Sequence, residues 1–260
     1  MSAVPGLCRG FKLFILAGLV VPHQENARLF RLATLCFSAL TLAACSSDID
    51  QATQLLTDSI RIKSDLEVND VTRYPGGVVC GQYSAYLSYS EPRQEHAPFI
   101  VKDGELDRAP GALDWQLLCT DDPVTALVEE TGIGPFTESN RELIKVNRDM
   151  TLLTAALENY HADNSSYPLE SDGLQALLSK PQNDAFARNY REGGYLDELP
   201  LDPWGRPYRY QHTRWGRVKG HFELSTLGKS GTAGGEGPDA DISSTHLPYL
   251  QRIARLLGVD

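Results

Sequence analysis

The chain has 260 residues, of which 42% are hydrophobic and 22% charged, a composition typical of globular proteins with a sizeable core. Its formal net charge of −10 argues against a nucleic-acid partner, because nonspecific binding to phosphates depends on Lys and Arg side chains that release counterions. No stretch reaches the roughly 18–20 apolar residues that a membrane-spanning helix requires.

Residues 1–45 are predicted to be a leader and signal peptide. Two arginines precede a short apolar run over residues 32–42, and small residues then lead to Cys45. The LAAC sequence that ends there resembles the lipobox of bacterial lipoproteins. That resemblance implies a lipid on Cys45 that anchors the mature chain to the periplasm-facing envelope, with Ser46 permitting sorting to the outer membrane. The alternative is a plain secretory signal with a coincidental cysteine.

The next region is predicted to contain a tether and a small domain. Residues 46–57 are polar and indicate a tether, whereas residues 58–134 indicate a small α+β domain of unknown role. Within this domain, residues 78–83 favour a buried strand and residues 99–101 a strand that enters a tight turn. The stretch from 115 to 119 is compatible with a strand or a short helix.

Cysteine counting predicts one disulfide. Cys8 and Cys36 precede the predicted cleavage site and Cys45 would carry lipid, which leaves Cys80 and Cys119. An even pair in an oxidising compartment favours a disulfide between them. The alternative is two unpaired buried thiols.

After the Gly and Pro residues at 132–135, the pattern predicts a second domain over residues 135–260. Its first element is a long amphipathic helix, started by Asn140 or Ser139. The apolar positions of this helix are three and four residues apart: Leu143, Val146, Met150, Leu153, Leu157 and Tyr160. A short helix near 173–178, paired strands at 208–212 and 221–225, and a terminal helix over 247–257 follow.

Four motifs in this domain carry a family resemblance. They are YxxDNxxYP at residues 160–168, GLxAL at 173–177, LPxDPWGxPY at 199–208 and GGEGxDADI at 234–242. Together they make residues 142–245 similar to the globular part of the major pseudopilin, protein G, of type II secretion systems. The resemblance implies an α+β fold in which the long helix packs on a small antiparallel sheet. It also implies a structural role, with type II secretion components or other pseudopilins as partners.

The glycine-rich segment near the C-terminus is a candidate calcium site. Asp239 and Asp241 repel each other unless a cation neutralises them, and oxygen-rich loops suit Ca²⁺. The resemblance implies a structural ion held by these carboxylates and by backbone carbonyls of Leu227 and Thr232. The alternative is a solvated acidic loop without metal.

Two departures from the family pattern qualify this expectation. Ser230 stands where family members usually have Asp, so we expect weaker binding, with Glu236 as a possible compensating ligand. In addition, roughly 120 residues separate the apolar run near the N-terminus from the long helix, so the chain is not expected to form the continuous helix that pseudopilins use to polymerise.

These patterns predict a lipid-anchored structural or interaction protein associated with secretion. No Gly-x-Ser-x-Gly, His-x-x-x-His or Cys-x-x-Cys motif occurs, so the sequence does not favour an enzyme. The alternative function is an envelope-anchored binding module that recognises cell-wall or glycan ligands through residues 58–134.

Overall fold

The computed structural model describes residues 48–182, 187–213 and 220–259. The predicted signal peptide, Cys45 and the first two residues of the predicted tether lie outside the described residues. The described chain divides into two compact units, the first ending at Asp121 and the second beginning at Asp122. None of the described helices combines the length and apolarity needed to span a bilayer.

The first unit is built on a four-stranded antiparallel sheet. It opens with helix α1 at residues 48–59 and a short 3-10 helix at Lys63–Asp65. The strands then follow in sequence order across the sheet: β1 (Glu67–Tyr74), β2 (Val78–Ala85), β3 (Gln94–Lys102) and β4 (Glu105–Asp107). Helix α2 (Ala112–Leu118) ends the unit. The stretch whose sequence allowed a strand or a helix is therefore helical.

Helix α1 replaces most of the predicted tether. Ala52, Leu56 and Ile60, spaced four residues apart, are fully or almost fully buried and belong to one apolar cluster with Tyr83 and Phe99 of the sheet. Ala52 and Leu56 lie on one face of α1 and Ile60 directly follows its last residue, so the helix covers the sheet although most of its positions are polar. The prediction of a tether was wrong for residues 48–57.

Strand β2 is the centre of this unit, since all but one of its residues are buried. Gly81 is required there, because a Cβ at this position would lie 2.7 Å from the Phe99 ring. Cys80 forms a disulfide with Cys119, with a Cα–Cα distance of 5.9 Å. The disulfide prediction is confirmed, and the bond joins the middle of the sheet to the end of α2.

The second unit is dominated by one long helix. It contains α3 (Pro123–Thr131), α4 (Arg141–Asn164), a 3-10 helix at Gly173–Leu177, and strands β5 (Arg209–Thr213), β6 (His221–Thr226) and β7 (Ile242–Ser243). Helix α5 (Leu247–Leu257) covers the range that the sequence predicts for the terminal helix. Helix α3 contacts α5 and belongs to this unit, whereas the sequence pattern assigns residues 123–131 to the preceding domain.

Helix α4 begins and packs as its sequence predicts. The Asn140 side chain accepts a hydrogen bond from Leu143 N at 3.0 Å, which caps the first turn. The whole predicted apolar stripe is buried, and the helix packs against α5 and the 3-10 helix. Tyr167, which follows α4, stacks edge-on against Phe222 of β6 with centroids 4.8 Å apart.

A buried polar contact joins α4 to the start of the sheet. The Tyr208 hydroxyl donates to Asp149 Oδ2 at 2.9 Å, and Lys145 Nζ donates to the same oxygen at 2.7 Å. Burial, followed by the charge of Asp149, raises the pKa of Tyr208 above its usual range, so its hydroxyl remains a donor. The second unit combines a long helix with a small antiparallel sheet and the first is a disulfide-bonded α+β unit, which confirms the predicted α+β fold class.

Candidate metal centre

The residues predicted to bind calcium lie in one loop of the second unit. This loop, residues 227–241, connects β6 to β7. Thr226 and Ile242 are partners in the antiparallel pairing of these strands, so the loop leaves the sheet and returns to it at adjacent positions. Both ends are therefore held by the same sheet, and the conformational cost of ordering falls on the residues between them.

Asp241 offers a buried acceptor in this loop. Its Oδ2 accepts a hydrogen bond from Gly234 N at 2.8 Å. Its Oδ1 is buried and has no hydrogen-bond partner within the described residues. Leaving such an oxygen unsatisfied costs about 1–3 kcal/mol or more for a charged group, so this atom requires a cation or a water molecule.

Asp239 is held close to the first glycines of the acidic motif. It ends a 3-10 turn, Gly237–Asp239, and its backbone nitrogen donates to Glu236 O at 3.2 Å. Gly235 has φ 118°, and a Cβ there would lie 2.7 Å from Asp239 O. The chain can fold back on itself at this point only with glycine.

Ser230 and Thr232 are brought together by the structure. The Ser230 hydroxyl lies 3.3 Å from Thr232 O, to which it donates, and 3.3 Å from Thr232 N, from which it accepts. The carbonyl of Leu227 accepts from Gly231 N at 3.2 Å. Because a carbonyl oxygen has two lone pairs, both predicted carbonyl ligands keep one for an ion.

Glu236 lies beside the segment that precedes α4. Its side chain is exposed and lies near Gly132, where an added Cβ would be 3.3 Å from Glu236 Cγ. The described parts of the chain contain no group of three or more His, Cys, Asp or Glu side chains placed to hold a metal. An ion here would thus depend on two carboxylates supplemented by carbonyl and hydroxyl oxygens, a donor set that Ca²⁺ accepts.

The sequence did not identify the residues that support this loop. Gly237 N donates to Gly132 O at 2.7 Å, so the segment before α4 holds the second half of the loop. The Arg206 guanidinium donates to the carbonyls of Gly228 and Lys229 in the first half. Arg206 occupies one of the two variable positions of the LPxDPWGxPY motif, and no spacing rule connects that position to residues more than twenty places later.

Asp202 of the same motif anchors Arg206. Its Oδ1 accepts from Trp204 N at 3.0 Å and from Arg206 N at 2.8 Å, and its Oδ2 accepts from the Thr226 hydroxyl at 2.7 Å. Burial by itself would raise the pKa of Asp202, but the hydrogen bonds from Arg206 N, the Thr226 hydroxyl and Trp204 N outweigh it and lower the pKa. The buried carboxylate is therefore ionised.

The match to a known family falls on this unit. Residues 137–245 match the sequence model of a family described as "Type II secretion system (T2SS), protein G". A relative from Vibrio cholerae, named type II secretion system core protein G, is 45% identical over 107 residues, which cover 41% of this chain and 70% of the relative. A Pseudomonas aeruginosa relative of the same name is 43% identical over 96 residues, covering 37% of this chain and 66% of the relative.

The chain is also similar to solved structures. One of them is described as the major pseudopilin from the type 2 secretion system of enterohaemorrhagic Escherichia coli, and it is 34% identical with a TM-score of 0.31. The match covers 38% of this chain and 87% of that chain. The family match begins at residue 137, so the first unit lies outside it.

Proposed function

The chain belongs to the type II secretion system protein G family, and from this membership we propose that it is a calcium-stabilised structural protein of a bacterial secretion apparatus. It acts by binding other components, such as pseudopilins, and not by catalysis. The matched region contains the long helix, the sheet and the whole loop from residue 227 to 241.

The Oδ1 of Asp241, which is buried and has no hydrogen-bond partner in the described parts of the chain, is the observation that supports calcium binding. Asp239 and Asp241 would supply the two charges, and the carbonyls of Leu227 and Thr232 with the Ser230 hydroxyl would supply neutral oxygens. When bound, the ion neutralises the carboxylates and cross-links the two halves of a glycine-rich loop. The protein itself keeps the two ends of the loop together through the pairing of β6 with β7.

The start of α4 is consistent with attachment through lipid on Cys45 in place of a continuous N-terminal pilin helix. Residues 132–140 are not helical, and the Asn140 side chain caps the helix at its first turn. Helix α4 therefore does not continue a helix from earlier in the chain, as the pilin mode of polymerisation would need. We propose a lipid-anchored protein in the envelope that presents its pseudopilin-like unit to the secretion machinery.

Calcium titration of the wild type, Asp241→Asn and Glu138→Gln tests this proposal. Glu138 is an exposed carboxylate of the same unit outside the loop, so its variant matches the change in net charge. We expect Ca²⁺ to release heat and raise the melting temperature of the wild type and of Glu138→Gln. In Asp241→Asn the affinity should fall about tenfold or more, which corresponds to about 1.4 kcal/mol.

The same three proteins, used as bait in envelope extracts with and without Ca²⁺, test the association. Secretion components should be enriched by the wild type in Ca²⁺ and less by Asp241→Asn. The absence of both heat and thermal shift at millimolar Ca²⁺ would contradict the calcium site. Enrichment of cell-wall fragments alone would favour the alternative, in which the first unit is a binding module whose exposed Tyr86 and Tyr89 contact a glycan.

A further inference from the structure

We propose that Arg206 is a positioning residue of the metal centre, a built-in cation that orders the first half of the loop before any ion binds. The inference rests on the proposed calcium site, because the segment it concerns, residues 227–232, supplies three of the proposed ligands. Arg206 orders the first half of the loop without the metal, and the metal then joins that half to the carboxylates of the second half.

The guanidinium contacts consecutive carbonyls of this segment. Arg206 Nη2 donates to Gly228 O, and Nη1 donates to Lys229 O at 3.2 Å. These carbonyls lie between the proposed ligands Leu227 and Ser230, so their orientation determines where both ligands point. A planar guanidinium can satisfy two neighbouring acceptors at once, which an ammonium group cannot do in the same geometry.

Glycine at position 231 fits both the backbone of the turn and its close approach to Arg206. Gly231 has φ 71°, and a Cβ there would collide with Arg206 Nη1. Gly231 N in turn donates to Leu227 O at 3.2 Å, which closes the turn around the guanidinium. The positive φ requires glycine, and the absence of a side chain lets the turn lie against the guanidinium.

Arg206 is itself fixed to the sheet where the loop begins. Its Nε lies 3.5 Å from Asp202 Oδ2, and the same oxygen accepts from the hydroxyl of Thr226, the last residue of β6. Asp202 is only 3% exposed, and its backbone nitrogen donates to Arg206 O at 2.7 Å. Since the Asp202 carboxylate balances the charge of Arg206, the pair adds little net repulsion toward a divalent ion nearby.

The second half of the loop has a different support. Gly234 N donates to Asp241 Oδ2, and no contact of Arg206 in the described structure reaches this part. Lys229 N donates to Pro238 O at 2.7 Å and connects the halves. Order at Gly231 should therefore depend on Arg206, whereas order at Gly234 should depend on Asp241 and on the ion.

Hydrogen exchange of the Gly231 and Gly234 amides in the full chain tests this division. The variants are Arg206→Gln, Asp241→Asn and, as a matched control, Arg209→Gln, which removes an exposed arginine of β5. With a chelator present, we expect Arg206→Gln to speed exchange at Gly231 about tenfold or more and Arg209→Gln to leave it unchanged. Asp241→Asn should speed exchange at Gly234 and not at Gly231. Calcium should slow exchange at Gly234 in the wild type.

The outcomes separate the two proposals. Unchanged exchange at Gly231 in Arg206→Gln without calcium overturns the role of Arg206, whatever calcium does. If calcium alters no amide of the wild type while Arg206→Gln still exposes Gly231, the calcium site fails and the role of Arg206 stands. If Arg206→Gln loses protection throughout α4, Arg206→Lys is measured instead. That variant keeps the charge but not the paired donors, and it should expose Gly231 to a smaller extent.

Discussion

The two units of the protein stabilise their cores in different ways. Among the described residues of the first unit, Ser84 alone is a buried polar side chain, and a disulfide adds a covalent link. The second unit buries a larger polar set: Asn147, Asp149, Asn164, Ser166, Asp202, Thr226 and Arg252.

The difference follows from what each unit has to hold in place. A small sheet covered by one short helix buries limited apolar area, so the disulfide contributes a large share of the stability of the first unit. The second unit has a 24-residue helix with a continuous buried stripe, which can offset the cost of burying charges. Its polar residues then position an irregular loop, a task for which apolar packing lacks directionality. Three perturbations test this contrast.

Removal of the disulfide should have the largest effect and should be confined to the first unit. The bond spans 39 positions, for which the chain-entropy estimate gives about 4 kcal/mol. In Cys80→Ala/Cys119→Ala we therefore expect the amides of β2 to exchange much faster while those of α4 keep their wild-type rates. Mass-resolved hydrogen exchange of the intact chain measures both. An equal loss of protection in α4 would show that the units do not respond separately.

Shortening one side chain of the α4 stripe should reverse that pattern. Leu157 is fully buried, and its replacement by Ala should lower the free energy of unfolding of the second unit by about 3 kcal/mol. Leu152, on the same helix but 47% exposed, provides the control, because Leu152→Ala should change stability by less than about 0.5 kcal/mol. Urea unfolding followed by α4 amide protection distinguishes the two. Comparable effects of both variants would mean that the buried stripe does not stabilise the unit.

The polar network of the second unit should respond to pH as well as to mutation. Asp202→Asn should cost about 2 kcal/mol at neutral pH, because several hydrogen bonds lose an ionised acceptor. Since folding lowers the pKa of Asp202 below its ordinary value of 3.8, the stabilisation is complete above that value and is lost as pH falls through the folded pKa.

The slope of stability against pH distinguishes Asp202 from an exposed carboxylate. Stability of the wild type should therefore fall more steeply with acid than that of Asp202→Asn, and Asp197→Asn, which alters an exposed carboxylate, should follow the wild type. Thermal unfolding from neutral to acidic pH measures the slopes. Parallel curves for the wild type and Asp202→Asn would rule out a folded-state pKa shift at this residue.

Much of the fold could be predicted because its signals are local. The alternating spacings of three and four from Leu143 to Tyr160 specify one face of a helix, and Asn140 supplies a cap whatever the rest of the chain does. The disulfide followed from counting, since only Cys80 and Cys119 remained for pairing. The glycines and aspartates of residues 234–241 likewise indicated a loop that needs support.

Other features could not be predicted, because their cause lies far away in the sequence. Ala52 and Leu56 of α1 and the following Ile60 are few apolar residues among polar ones, and they join a core only because β2 and β3 contribute apolar side chains to the same cluster. The support of the loop by Gly132 and Arg206 depends likewise on backbone carbonyls and amides, which every residue carries and which leave no compositional trace.

The amino-acid sequence by itself determined the α+β class, the long helix, the disulfide pair and the family. Periodicity, caps, cysteine count and motif spacing can all be read from the sequence without knowing which distant segments meet. Tertiary structure alone decided that α1 belongs to a core, that α3 joins the second unit, and that Arg206 lies beneath the Gly228–Gly231 turn. These outcomes depend on which surfaces meet after folding, and hydrogen bonds to the backbone acquire a partner only when distant segments come within about 3 Å of each other.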